Sequence, residues 1–167
     1  KKDIDCLTFV NQGKLYIGEE TFMPCTPKSV VTILNSLNIN LEGMNVVVIG
    51  RSNIVGKPVG ALLLKENCTV TMCHSKTKNL REVCKRSDIL VVAIGKAKFI
   101  DDSFVKEGAI VIDVGTNSVQ GKITGDVDFD KVIDKSSFVT PVPGGVGALT
   151  TTLLMKNACE AIEKYED

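Results

Sequence analysis

Three short segments hold residues whose types and spacing could do chemistry. The first is Gly50-Arg51-Ser52-Asn53-Ile54-Val55-Gly56-Lys57-Pro58, which follows a run of apolar residues and leads into a helical pattern. A glycine at a strand end permits a tight turn, and a second at a helix start lets an anion approach backbone N–H groups, where the helix dipole favours negative charge. This is phosphate-holding chemistry. The spacing departs from strict G-x-G-x-x-G, because Ser52 stands in place of the middle glycine and Gly56 lies one residue later. A purely structural strand–helix turn is the alternative at this stage. A triphosphate-hydrolysing loop is excluded. It needs four residues between its glycines and then Lys and a hydroxyl for magnesium, whereas five intervene here and Pro58 offers no ligand.

The second segment, Cys73-His74-Ser75-Lys76-Thr77-Lys78, ends the next apolar stretch. NAD-specific folds place a carboxylate there to bond the ribose 2′-hydroxyl. None is present. A serine, an imidazole and two lysines, with Arg51 from the first loop, suit an additional phosphate: Arg51 supplies a forked, charge-assisted contact and Ser75 a neutral one. The residues therefore favour NADP over NAD. A solvated basic turn is the alternative.

The third is Thr140-Pro141-Val142-Pro143-Gly144-Gly145-Val146-Gly147-Ala148-Leu149-Thr150, expected as a loop between the last strand and the last helix. Prolines fix its path and glycines allow a planar ligand close to the backbone.

These segments need elements to position them. Short, mostly apolar runs predict strands at Asn45–Ile49, Thr69–Cys73, Ile89–Ile94, Ala109–Val114 and Phe138–Thr140. Continuous apolar strands imply burial on both faces, and alternation with helices implies parallel crossovers. Helices are predicted at Lys57–Glu66, Asn79–Arg86, Ser103–Lys106 and Thr151–Tyr165. Another starts with Thr26 as N-cap and Pro27 in the first helical position, followed by Val30, Ile33, Leu34 and Leu37 at helical spacing. Residues 1–23 read as an irregular lead-in punctuated by Gly13 and Gly18, and a hairpin is expected between Val114 and Val139. The fold class is α/β: a doubly wound, Rossmann-like, mostly parallel sheet with helices on both faces. Its expected organisation is a connecting segment and helix at 1–40, the nucleotide-binding unit at 41–148, and a returning helix at 149–167.

Composition agrees with one globular unit. The 167 residues are 44% hydrophobic and 24% charged, with 20 basic against 20 acidic side chains. That balance removes the usual argument for a nucleic-acid or membrane-surface partner. The longest apolar runs are too short for a membrane span. The six cysteines form no Cys-x-x-Cys pair and read as reduced structural thiols; with His74 the only histidine, no metal site is expected.

Taken together, these segments resemble methylenetetrahydrofolate dehydrogenase/cyclohydrolase. The strings carrying the resemblance are Lys2-Asp3-Ile4-Asp5, Pro24-Cys25-Thr26-Pro27, the Val48–Pro58 loop, Cys73-His74-Ser75-Lys76-Thr77, Gly108–Gly115, Gly125-Asp126-Val127 and Thr140–Gly147. The resemblance spans the whole chain. It implies NADP-dependent oxidation of methylenetetrahydrofolate to the methenyl form, then hydrolysis to formyltetrahydrofolate, in a homodimer of the cytoplasm or the mitochondrion. It assigns Gly50, Arg51 and Ser52 to the cofactor phosphates, Ser75 to the 2′-phosphate, and Thr116 to the nicotinamide end, where the family usually has an aliphatic residue. It assigns Asp5 to the pterin, and Pro143, Gly144, Gly145, Val146, Gly147, Ala148, Leu149, Thr150 and Thr151 to the folate-lining loop. Two departures stand out. Cys6 replaces the family's usual glycine, and Ala148-Leu149 replaces Pro-Met.

The resemblance places the general acid/base lysine, with a tyrosine and a glutamine, in an N-terminal domain of over a hundred residues. The sequence opens at Lys1, so that domain is expected to be absent and no lysine here takes the role. Two other readings stay open from the residues alone. One is a non-catalytic NADP-binding or dimerising module; the other is a shikimate or amino-acid dehydrogenase on the same fold, against which the Pro141–Gly147 string argues.

Overall fold

Side-chain alternation along the strands decides the layering. In the computed structural model, which describes residues 2–165, β1 (Asn45–Ile49) sends Val46 and Val48 to one face and Val47 and Ile49 to the other, all buried. The same split runs through β3 (Ile89–Val92) and β4 (Ile110–Asp113). One face packs Ile89, Val91, Ile110 and Ile112 with Val30 and Leu34 of α2 (Cys25–Ser36) and Val59 and Leu63 of α3 (Gly56–Lys65). The other packs Leu90, Val92 and Val111 with Cys84 of α4 (Leu80–Cys84), Ile100, Phe104 and Val132. Burial on both sides is why these strands carry no polar alternation.

The main sheet has five strands in the order β2-β1-β3-β4-β7, all parallel, with β2 at Thr69–Cys73 and β7 at Phe138–Val139. Between β4 and β7 lie an antiparallel hairpin, β5 (Asn117–Val119) and β6 (Lys122–Thr124), and a short helix α5 (Phe129–Val132). Gly121, with φ +77, makes the hairpin turn. The doubly wound architecture and the hairpin are those the sequence predicts. The expected helix at Ser103–Lys106 is a single 3-10 turn, Asp102–Phe104, opened by the Asp101 side chain accepting the Ser103 N–H.

Three local expectations are corrected. Residues 1–23 are not irregular, because Phe9–Ile17 form a helix, α1, that ends on Gly18 at φ +79. The Asp3 carboxylate accepts from the Leu7 and Thr8 N–H groups, the Thr8 hydroxyl and Asn11 Nδ2, and Thr8 caps the helix. A cap that reaches from Asp3 to Asn11 supplies what the weak apolar periodicity does not. Second, α2 begins at Cys25, so Thr26 is not its N-cap. The Asp5 carboxylate, distant in sequence, takes the Cys25 N–H instead. Third, α6 runs Val146–Tyr165, and the segment expected as loop up to Thr150 is helical from Val146. The glycines end their loop at Gly145. Buried Val146 then anchors a run without a further breaker, since Gly147 is tolerated in a first turn.

Five of the six cysteines are buried and all are free thiols; Cys159 is exposed. Burial pushes the Cys84 thiol up to about 12, so such thiols are inert at neutral pH.

Candidate functional site

The carboxyl ends of all five strands lie along one edge of the sheet, and the loops with candidate chemistry after β1, β2, β4 and β7 follow them, while Asp5 precedes all the strands. After β1, Gly50 adopts φ +131, and a Cβ there would lie well under 3.0 Å from the Ala93 carbonyl oxygen at the end of β3. A Cβ on Gly56 would in turn overlap the Gly50 carbonyl. The loop therefore doubles back with backbone against backbone, which only glycine permits at these two positions. Ser52 Oγ accepts the N–H groups of Val55 at 3.1 Å and Gly56 at 3.2 Å. Its hydroxyl thus holds the start of α3 while its hydrogen remains available to donate outward. Arg51 is exposed beside it, and Lys57 Nζ donates to Asn53 Oδ1 at 2.7 Å.

The turn after β2 sits next door. Ile49 pairs with Cys73, and the Gly50 N–H donates to the Cys73 carbonyl at 2.9 Å. The turn closes on itself: Thr77 Oγ1 accepts the His74 N–H, the His74 carbonyl accepts the Thr77 N–H, and His74 Nδ1 accepts the Lys76 N–H at 3.1 Å. Ser75, Lys76 and Lys78 project from it, exposed. No carboxylate ends β2, and the adjacent loops after β1 and β2 expose Arg51 on one and Ser75, Lys76 and Lys78 on the other. A phosphoryl ester fits that donor set and a bare ribose diol does not require it.

Beyond β3 and β4 the site is organised by two buried carboxylates, Asp113 and Asp126, which lie in strings that carry the family resemblance but to which the sequence assigned no role. Asp113, which ends β4, accepts the N–H groups of Gly115 at 2.9 Å, Asp126 at 3.1 Å and Val127 at 2.9 Å. Asp126 accepts those of Ile94 at 2.7 Å, Gly95 at 2.9 Å and Lys96 at 2.7 Å, together with Asn117 Nδ2 at 2.9 Å. The two glycines fit around them, because a Cβ on Gly115 would overlap the Asp126 carboxylate and one on Gly125 the Asp113 carboxylate. Burial pushes Asp113 up to about 6, against the pull of its three N–H donors and with a small addition from the Asp126 charge. The available signal was a carboxylate closing an otherwise apolar strand, with glycine two residues on. Thr116, the residue assigned to the nicotinamide end, is exposed next to this network.

The Pro-Gly loop after β7 is tied to the same hub. Buried Thr140 Oγ1 accepts the Asp113 N–H at 2.8 Å. Val142–Pro143 is a cis peptide, Gly144 has φ +105, and a Cβ on Gly145 would lie 2.5 Å from the Pro141 carbonyl. A cavity of about 470 Å³ brings together Gly144, Gly145, Ala148 and Leu149 with Ile33 of α2. Thr150 is placed differently: its hydroxyl lies 3.2 Å from that of Ser29 and it donates to the Val146 carbonyl. Pro143, Gly147 and Thr151 are exposed and Val146 is buried. Asp5 is not among the residues lining that cavity. It stands at the start of α2, near Asn157 of α6, whose Nδ2 donates to the Ile4 and Met23 carbonyls. The structure thus brings the loops bearing Gly50, Arg51, Ser52 and Ser75 together at one end and part of the 143–151 segment at the other, and Asp5 holds the first turn of α2, one turn before the Ser29 hydroxyl that meets Thr150. Among the described residues no cluster of His, Cys, Asp or Glu forms a metal site.

A parallel sheet of order 2-1-3-4-7, with a glycine loop and a helix N-terminus at the carboxyl end of its first strand, defines a dinucleotide-binding domain of the doubly wound class. Comparison with known proteins narrows the class. The chain belongs to the tetrahydrofolate dehydrogenase/cyclohydrolase family, whose NAD(P)-binding domain model matches residues 24–166. It is 74% identical over 167 residues to the bifunctional protein FolD of Clostridium botulinum (strain Alaska E43 / Type E3), covering all of this chain and 59% of that protein. Among solved structures it is similar to the bifunctional enzyme FolD-methylenetetrahydrofolate dehydrogenase/cyclohydrolase of Campylobacter jejuni, with 45% identity and a TM-score of 0.94 over 98% of this chain and 58% of that one. It is also similar to the Trypanosoma brucei methylenetetrahydrofolate dehydrogenase-cyclohydrolase complexed with NADP and an inhibitor, with 40% identity and a TM-score of 0.91 over 98% and 59%. The chain therefore spans somewhat under two-thirds of the length of these relatives. Family membership sets aside a shikimate or amino-acid dehydrogenase.

Proposed function

We propose that this chain is the NADP-binding part of an enzyme that oxidises methylenetetrahydrofolate and then hydrolyses the product. NADP supplies the hydride acceptor: the methylene carbon gives up a hydride to leave the methenyl cation, and water adds to that cation, with loss of a proton, to give formyltetrahydrofolate. Gly50 and Gly56 make room for the pyrophosphate, Arg51 and Ser52 contact it, Ser75 and Arg51 take the 2′-phosphate, and Thr116 lies toward the nicotinamide. Asp5 and the Pro143–Thr151 segment (Pro143, Gly144, Gly145, Val146, Gly147, Ala148, Leu149, Thr150, Thr151) serve the folate. Residues 41–148 bind the nucleotide, while 1–40 and 149–167 connect this unit to the remainder of a homodimeric cytoplasmic enzyme. Support for the connecting role is that α2 and α6 pack against each other.

One observation carries the cofactor assignment. The loops after β1 and β2, joined by the Gly50 N–H to the Cys73 carbonyl, present Arg51, Ser75 and two lysines and no carboxylate. Calorimetric titration of the chain with NADP and NAD tests it. NADP is expected to bind more tightly, and equal or tighter binding of NAD sinks the reading. A polypeptide of these 167 residues is expected to show little or no cyclohydrolase turnover, since positioned proton transfer contributes about 100- to 10,000-fold and no lysine here is assigned that part.

A further inference from the structure

Asp126 is wholly buried, yet its two oxygens do not serve the hydrophobic core or an ion pair. They receive four N–H donors from two loops: Ile94, Gly95 and Lys96 after β3, and the Asn117 side chain at the start of the hairpin after β4. Resting on the NADP reading, we propose that Asp126 is a positioning residue for the nicotinamide half of the dinucleotide, acting through these loops.

Topology sets where that half must lie. In a sheet of order 2-1-3-4-7 the strand order reverses between β1 and β3, and ligands bind across the carboxyl ends at that reversal. The phosphate loop ends β1 and the adenosine-side turn ends β2, so the other half extends over β3 and β4. The wall there is backbone: Ile94-Gly95-Lys96 on one side and Gly115-Thr116-Asn117 on the other. Loops of this kind, with exposed Gly95, Lys96 and Thr116, have no core of their own to fix them. Three consecutive N–H groups turned inward onto one carboxylate do so, and charge-assisted bonds are about twice as strong as neutral ones. Asp126 is itself fixed at both ends of its backbone, its N–H donating to Asp113 Oδ1 at 3.1 Å and its carbonyl accepting the Ile100 N–H at 3.0 Å. Gly115 leaves no space between its own backbone and the carboxylate. The β5–β6 hairpin is thus the device that carries a carboxylate from the end of β4 back beneath the loop after β3.

An asparagine cannot reproduce this, because its amide nitrogen would face N–H donors. The test separates the two halves of the ligand. Wild-type chain, Asp126→Asn and Asn117→Ala are titrated by calorimetry with NADP and with 2′,5′-ADP, which keeps the 2′-phosphate and lacks the nicotinamide. Asp126→Asn is expected to lose about tenfold or more in NADP affinity, equivalent to about 1.4 kcal/mol, with 2′,5′-ADP affinity held within about twofold. Asn117→Ala removes a single half-buried donor and keeps the core, so it carries the test should Asp126→Asn fail to fold. A smaller loss, about threefold, is expected for NADP alone. Equal losses for both ligands, or no loss for NADP, overturn the positioning role. Failure of the wild-type chain to bind either ligand removes the NADP reading and this inference with it.

Discussion

Asp5 Oδ1 accepts the N–H of Cys25 at 2.7 Å, so a carboxylate from the segment before α1 caps the first turn of α2. Pro24, at the N-cap position, offers no side-chain bond of its own. The carboxylate also sits at the positive end of the helix dipole. The residue assigned by family resemblance to the pterin thus has one oxygen committed to a helix before any ligand arrives, which orients the other. Asp5→Ala is expected to lower stability by about 1 kcal/mol, the usual size of a lost N-cap, read as a fall in urea midpoint at constant slope. An unchanged midpoint would show that the bond contributes nothing.

Arg51 and Ser75 project from neighbouring strand ends and neither is buried. Replacing both, as Arg51→Gln with Ser75→Ala, is therefore expected to spare the fold and to alter the ligand alone. A hydrogen bond to a charged group contributes about 1.5–3 kcal/mol, so NADP affinity should fall about 10- to 100-fold, and NAD affinity by less, since NAD loses only the Arg51 contact to the pyrophosphate. Calorimetry with both coenzymes reads this directly. An unaltered NADP-to-NAD ratio would mean that the 2′-phosphate is held elsewhere.

Gly50→Ala tests the backbone rather than the charge. The new methyl would meet the Ala93 carbonyl, a backbone atom that cannot swing aside, in a conformation that L residues rarely adopt. A destabilisation of about 1–3 kcal/mol or more is expected, with NADP binding lost in the folded fraction because the loop is displaced. Gly13→Ala is the control, since its Cβ meets nothing and it lies within α1. There the helix propensity of alanine should leave stability unchanged or raise it. Similar midpoints for the two variants would contradict the close approach.

The strands and the phosphate loop were legible because local pattern and tertiary role coincide. Val46–Ile49 are apolar throughout since both faces are covered, and Gly50 marks the turn that only glycine makes. What was not legible depends on carboxylates acting across the chain. The expected strand Ile89–Ile94 stops at Val92 because the Ile94 N–H goes to Asp126 rather than to a neighbouring strand. α1 is assembled around Asp3, whose acceptors serve residues 7, 8 and 11, and α2 starts early because of Asp5. Asp5 lies 20 residues from its partner and Asp126 lies 32 from Ile94, beyond any window of periodicity, while Asp3 is near its partners but leaves no mark in an apolar pattern. The last helix was placed late for a different reason: Gly147 reads as a breaker in sequence, although a first turn tolerates it.

The Asp113 carboxyl is expected to titrate near pH 6, well above the ordinary value of 3.8, with burial as the main cause. Its folded form holds the proton more tightly than the unfolded chain does. Its contribution to stability is therefore fully present below about pH 3.8 and is lost as the pH rises through about 6. Carboxyl carbon chemical shifts of the labelled chain, assigned by comparison with Asp113→Asn, measure the midpoint. A midpoint below 4 would mean that the three N–H donors outweigh burial.

Cys6 is buried and has φ +55, in the left-handed region where resemblance to the family leads one to expect glycine. Asp3 enforces this geometry, because its carboxylate draws the Leu7 and Thr8 N–H groups back over the intervening residues. The side chain thus carries two opposed effects: a buried thiol that contributes packing, and a Cβ that makes the left-handed backbone unfavourable by about 1–2 kcal/mol. Two substitutions separate them. Cys6→Ala removes the sulfur and retains the strained Cβ, so it should destabilise. Cys6→Gly removes more atoms, yet it also relieves the backbone, offset in part by the greater freedom of glycine in the unfolded chain. Cys6→Gly is accordingly expected to be more stable than Cys6→Ala by about 0.5–1 kcal/mol, an inversion of the order that burial alone dictates. Urea unfolding of the two variants under reducing conditions measures the difference. Greater stability of the alanine variant would show that residue 6 does not hold a left-handed conformation in solution, and that Asp3 does not close the turn in the way described.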